Sequence, residues 1–299
     1  MAAAGSAAVF APVFGLGAAA IWGAADFSGG LASKRAAPAF VVAVAHGFSL
    51  ILLLIAAFLL HTASNGYGSN GYGFYGLLSG VFGGAGLVAF YSALARGTMG
   101  LSAAVSGVVT AIVPVVFTWI HEGHAAPRRL TGFAVAAVAI WLVAYTPEPE
   151  SPKHPHPHAL GLATLSGLCF GAMLIFMHFA AEQGVLRALI AMRLTSTAVA
   201  VLAGSVFWLA KRREEAAGTG FPSGKILWLA MLAGVLDTSG NLLYLFASLA
   251  GRLDIAAVLS SLYPAGTILL AAWLLKERTT RSQTAGMALA LAAVVLISI

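Results

Sequence analysis

Gly234–Arg278 reads GVLDTSGNLLYLFASLAGRLDIAAVLSSLYPAGTILLAAWLLKER. It is an apolar run, a short polar hinge at Gly251, Arg252 and Asp254, and a second apolar run ending at Lys276-Glu277-Arg278. Each run is long enough to cross a hydrocarbon layer of about 30 Å at ~1.5 Å per helical residue. In the first run Asp237 and Asn241 stand one helical turn apart on one face, and Tyr244 extends that face. In the second run Ser260, Pro264 and Thr267 share a face by the same spacing. A carboxylate at that depth is costly against lipid, so it is expected to face a partner or a wet cavity.

Composition generalises this reading. The 299 residues are 60% hydrophobic and 9% charged, whereas soluble domains carry roughly 25% charged residues. Mean hydropathy is +0.92. A soluble fold is excluded, and the expected class is an all-α integral membrane protein. The net charge of +6 lies in the loops, with no basic patch interleaved with aromatics, so no nucleic-acid partner is expected. Cys169 is the single cysteine, which excludes an intramolecular disulfide and a cysteine metal cluster. The N-terminal stretch lacks the positive region of a cleavable signal peptide.

Apolar runs at about 10–33, 38–60, 74–95, 100–120, 130–146, 159–180, 187–210, 226–249, 255–275 and 283–299 predict ten transmembrane helices. The runs are too long, and lack the two-residue alternation, for a β-barrel. PEPESPKHPHPH, residues 147–158, is a proline-rich extended linker. It divides the chain into a first unit, 1–146, and a second, 159–299. Laying Phe90–Glu122 on Leu245–Glu277 without a gap matches Leu94-Ala95 to Leu249-Ala250, Ser106 to Ser261 and Glu122 to Glu277. An odd number of helices per half inverts the second half in the membrane, a recurrent transporter arrangement with the substrate site near midplane.

Among intramembrane polar residues, Asp26 is either a cavity carboxylate for a cation, an amine or a proton, or an interfacial acid paired to Lys34. Asp237 with Asn241 either fixes a polar substrate or makes a structural bond between helices. Arg193, the one arginine inside an apolar run, either holds a substrate carboxylate, pairs permanently with Asp237 or Asp26, or snorkels to the interface. His46 and His178 read as packed side chains. Ser102, Ser106, Thr110, Pro114 and Thr118 form a small polar stripe on the fourth helix, which Pro114 is expected to bend, as Pro264 bends the ninth. Gly80 and Gly84 allow a close helix approach. Helices 1, 4, 6, 7, 8 and 9 are the expected cavity wall.

SSLYPAGTILLAAWLLKERTTRSQTAGMALALAAVVLIS, with Ser260, Ser261, Tyr263-Pro264, Lys276-Glu277-Arg278 and Gly286, resembles the end of the second repeat in the EamA branch of the drug/metabolite transporter superfamily. IWGAADFSGGLASKR and GVLDTSGNLLY are similar to other segments of that family, through Trp22, Gly23, Asp26, Gly234, Asp237 and Asn241. The first repeat departs: Val108-Val109 stands where the second has Tyr263-Pro264. The resemblance implies ten helices in two inverted five-helix repeats, alternating access, and small-molecule metabolites or drugs as substrates, often exported.

The expected function is therefore a secondary transporter, an exporter of a small polar or amphipathic metabolite, with Asp26 and Asp237 as the candidates for proton coupling. The competing readings are a facilitated uptake carrier for a sugar or related metabolite, and an intramembrane receptor or scaffold. The substrate pathway is expected at Trp22, Asp26, Arg193, Asp237, Asn241, Tyr244, Ser260, Tyr263 and Pro264. No catalytic residue, cofactor or metal is expected, and GxxxxGK[ST] is absent. The partners are the small molecule and the lipid bilayer of a bacterial cytoplasmic membrane, with the protein a monomer or homodimer. Lys and Arg number eleven in the loops after odd helices and four in the others. The positive-inside rule would place both termini outside, whereas the family resemblance implies both inside.

Overall fold

Proline sets three of the helix starts. Pro38, Pro127 and Pro157 each open a helix, where the missing N–H costs nothing and the fixed φ suits the first turn. Ala37 before Pro38 is correspondingly extended, with ψ 130°. The structure is a computed structural model, and it describes residues 2–60, 72–96, 99–123, 127–144, 157–182, 184–212, 223–274 and 280–298. These form α1 (Ala2–Ser33), α2 (Pro38–Leu59), α3 (Tyr72–Arg96), α4 (Met99–Glu122), α5 (Pro127–Ala144), α6 (Pro157–Ala181), α7 (Val185–Arg212), α8 (Gly224–Ala250), α9 (Leu253–Ser260), α10 (Tyr263–Leu274) and α11 (Arg281–Ser298). No strand occurs among the described residues. Among the described residues six helices are long and apolar enough to cross a membrane, and α4 and α5 carry shorter apolar segments. The chain is an all-α membrane protein. Most of the 147–158 linker lies outside the described residues.

The ninth apolar run departs from expectation, forming two helices rather than one. Pro264 has no N–H to give the Ser260 carbonyl, so the helical ladder fails there. The backbone tightens instead: Leu262 N–H reaches the Leu259 carbonyl at 3.3 Å and Ala265 N–H the Leu262 carbonyl at 3.0 Å. Ser260 and Thr267 therefore do not continue one helical face. Pro114, by contrast, sits inside an unbroken α4. The α8–α9 hinge is fastened by Arg252, whose Nε and Nη2 donate to the two Asp254 oxygens at 3.1 and 3.0 Å. Asp254 Oδ1 also accepts the Ile255 N–H at 2.8 Å, in the first turn of α9.

Packing brings distant parts of the sequence together. The principal neighbours are α1 with α8, α3 with α6, α5 with α11, α3 with α7, α4 with α6, and α2 with both α7 and α8; α1 also packs on α10. Two glycines show how closely the backbones meet. A Cβ at Gly234 would overlap the Ala45 carbonyl of α2, and one at Gly80 would overlap the Met192 carbonyl of α7. Gly80 and Gly84 of α3 thus both seat against α7, through Met192 and Ser196. Large apolar side chains such as Ile55, Phe58, Leu202 and Phe207 remain exposed, as a lipid-facing surface requires. The polar residues Arg193, Asn241, Ser106 and His46 are buried.

Candidate functional site

Asp237 lies midway along α8, and Arg193 of α7 is aimed at it. Arg193 Nη2 forms an ion pair with Asp237 Oδ2, and its Nε donates to Thr238 Oγ1 at 3.0 Å. Arg193 is 0% exposed while the Asp237 side chain keeps 19%. The arginine therefore does not snorkel; of the alternatives open to it in the sequence, this structure has the pairing with Asp237. A charge removed from water to that degree is tolerable only when paired.

The pair is held in a wider network. Asn241 Nδ2 donates to Asp237 Oδ2 at 3.4 Å. Trp22 Nε1 of α1 donates to Asn241 Oδ1 at 3.2 Å and to the Asp237 carbonyl at 3.3 Å. The Trp22 ring stacks on Tyr244, with centroids 5.9 Å apart, and Tyr244 Oη donates to the Leu174 carbonyl of α6 at 3.0 Å. His46 of α2 also approaches Asp237, its Nε2 3.6 Å from Oδ2. Among the described residues neither His46 ring nitrogen, nor Arg193 Nη1, has a hydrogen-bond partner.

Trp22, His46, Arg193 and Asp237 border a cavity with about 450 Å³ of empty space, part of it open to solvent. Its wall is Trp22 and Asp26 from α1, His46 from α2, Gly83 and Leu87 from α3, Thr110 from α4, Phe170, Met173 and Leu174 from α6, Met192 and Arg193 from α7, Asp237 from α8, and Tyr263 from α10. Asp26 is not paired with Lys34: it has no hydrogen-bond or ion-pair partner among the described residues. Beyond Tyr263 lies a hydroxyl cluster. Tyr263 Oη donates to Ser106 Oγ at 3.2 Å, and Ser106 and Ser166 Oγ atoms are 2.6 Å apart. Thr110 bonds back to the Ser106 carbonyl at 2.7 Å.

Of the residues named from sequence, Trp22, Asp26, Arg193, Asp237 and Tyr263 border the cavity. Asn241 and Tyr244 stand behind that wall. Ser260 is buried without a hydrogen-bond partner among the described residues, and Pro264 is packed where Gly107 of α4 approaches; neither borders the cavity. Thr267 bonds the Gly23 carbonyl at 3.1 Å instead. Of the α4 polar stripe, Thr110 alone reaches the wall, while Ser106 is spent between helices. Sequence reasoning missed α2 and α3, which contribute His46, Gly83 and Leu87. His46 had one usable signal, being the one ionisable side chain in its apolar run; the two α3 residues had none.

Comparison with known proteins fits this architecture. Residues 158–299 match the EamA-like transporter family. An uncharacterized protein of Methanocaldococcus jannaschii is 39% identical over 75 residues, which are 25% of this chain and 55% of that protein. The chain thus spans about half the length of that relative. A protein known by its crystal structure superposes with a TM-score of 0.72 at 16% identity, over 96% of this chain and 95% of the other. At that identity the likeness speaks for the fold alone.

Proposed function

We propose that the chain is a secondary transporter that carries a small polar or amphipathic metabolite through this cavity by alternating access, in the exporting direction, across a bacterial cytoplasmic membrane. The observation that carries the reading is the division of the cavity wall between the halves. Residues 1–146 supply Trp22, Asp26, His46, Gly83, Leu87 and Thr110, and residues 159–299 supply the other seven. A site built on the seam between two bodies opens to one side or the other when the bodies rock.

The helix neighbours favour two inverted five-span repeats, with α9 and α10 together serving as the ninth span. Exchanging the halves turns α1–α8 into α6–α3, α3–α7 into α8–α2 and α4–α6 into the α9/α10–α1 contact, and it leaves α2–α7 and α5–α11 unchanged. Close contacts follow the same exchange. Gly23 of α1 seats on Gly266 and Thr267 of α10, and Gly171 of α6 seats on Val113 of α4. Proton coupling, in this reading, rests on Asp26, because Asp237 is committed to Arg193.

The test is flux. Liposomes containing the purified protein are loaded with a mixture of small metabolites, diluted, and their contents followed by mass spectrometry against protein-free liposomes. Selective loss of one or a few solutes is expected. Contents that match the protein-free control, for a protein that still binds a solute, would replace the transporter with the receptor reading.

A further inference from the structure

We infer that the cavity binds its solute between Arg193 and His46, and that this subsite takes the uncharged head, a hydroxyl or a primary amide, of an aromatic molecule. The inference rests on the transporter reading for its purpose and on this pair of side chains for its content. Arg193 Nη1 and both His46 ring nitrogens are buried without a hydrogen-bond partner among the described residues, and both side chains line the cavity. Their relative exposures are 0% and 1%. At 3.6 Å the Asp237 carboxylate stays beyond bonding distance of His46 Nε2. Buried polar atoms are nearly always bonded, so unmatched ones gathered at one cavity are capacity for a ligand.

The two side chains hold equivalent places in the two halves. Gly234 seats on the Ala45 carbonyl and Gly80 on the Met192 carbonyl, and His46 and Arg193 are the next residues along. Farther along the same two glycine-bearing helices, Gly240 meets the Trp22 ring and Gly86 the Phe170 ring. Under the exchange of halves proposed above, His46 thus trades places with Arg193 and Trp22 with Phe170. All four line the cavity. A solute seated on them touches both halves at once, as a substrate of alternating access must.

The chemistry of the pair selects the head. A guanidinium donates and does not accept, while a neutral imidazole offers one donor and one acceptor. An ammonium has no lone pair for Arg193. A carboxylate has, but it would lie beside Asp237, which already neutralises Arg193, and would bring an unmatched charge to a largely apolar wall. A hydroxyl or primary amide accepts from Arg193 Nη1, gives a hydrogen to His46 and adds no charge. The remaining wall includes Trp22, Phe170, Met173 and Met192, rings and thioethers that pack well on an aromatic body.

Three probes that share a phenyl ring and differ in their heads test this: phenylacetamide (neutral), phenylacetate (anion) and phenethylamine (cation). Each is titrated calorimetrically into the detergent-purified protein, with protein-free micelles as the blank. Phenylacetamide is expected to bind, with the other two weaker by about tenfold or more, the scale of one hydrogen bond to a charged group. His46→Leu should weaken phenylacetamide by roughly fivefold or more while still unfolding cooperatively. His46→Gln, whose amide keeps a donor and an acceptor, should retain it. Should His46→Leu fail to fold, the order of the three probes on the native protein decides. Either charged probe binding as tightly as phenylacetamide, phenylacetamide binding unchanged in His46→Leu, or no binding by any probe would overturn the assignment. Selective metabolite loss from liposomes alongside any of those results would leave transport standing and remove only the substrate class. Phenylacetamide binding in the expected order without flux of any solute would do the reverse.

Discussion

Neutralising Asp237 alone should destabilise the protein far more than neutralising it together with Arg193. Asp237→Asn leaves a guanidinium with 0% exposure facing an amide, and removing one partner of a buried ion pair costs about 3–5 kcal/mol. Arg193→Gln leaves Asp237, whose side chain is 19% exposed, so water offsets part of the loss and the cost should fall near the lower end. The double variant carries no orphaned charge and should return to within about 1 kcal/mol of the native protein. A neutral bond between membrane helices is worth only ~0.6–1.7 kcal/mol, so the two accounts of the pair separate cleanly. Equilibrium unfolding in mixed micelles, with yield in the membrane fraction as a second readout, gives the coupling energy of the cycle. A coupling of about 2 kcal/mol or more is expected. Single variants within ~1 kcal/mol of native, or a double variant no better than the worse single one, would refute a permanent structural pair.

Gly234→Ala should cost about 1–3 kcal/mol, because its methyl would strike the Ala45 carbonyl; Gly161→Ala, with nothing within 4 Å of the new atom, should be neutral or stabilising by up to ~1 kcal/mol. Thermal unfolding of the two side by side checks both, and equal effects would discard the close α2–α8 contact. Tyr244→Phe removes the 3.0 Å bond to the Leu174 carbonyl but keeps the ring on Trp22, so a loss of about 0.6–1.7 kcal/mol is expected. Trp22→Phe should release Asn241 and lower solute flux with a stability change of similar size, read in the liposome assay and by unfolding; unaltered flux would leave Trp22 a purely structural role.

The membrane class and the positions of the apolar runs were legible because lipid imposes one rule over long stretches: every backbone polar group is bonded inside its own helix. The helix break at Ser261-Leu262 was less so. Pro264 marks a disturbance, but whether proline divides a helix depends on its neighbours, and Pro114 leaves α4 undivided. For the candidate site, the sequence distinguished the residues expensive to bury, Asp26, Arg193 and Asp237. It could not say which charges meet, since Arg193 and Asp237 lie 44 positions apart on helices whose rotation is set by packing. Small and apolar wall residues such as Gly83 and Met173 carry no such cost and so no such signal. His46 is buried, as a packed side chain would be, but it also borders the cavity.

The central claim is that one cavity, shared by the two halves, is reached from each membrane face in turn. Its most direct test replaces Cys169, the single cysteine, by serine, introduces Leu87→Cys or Leu174→Cys into the wall, and measures labelling by a membrane-impermeant thiol reagent from each face of oriented vesicles. The account predicts labelling from both faces, with a bound solute shifting the balance between them. Access from one face alone under every condition, or from neither, would contradict it.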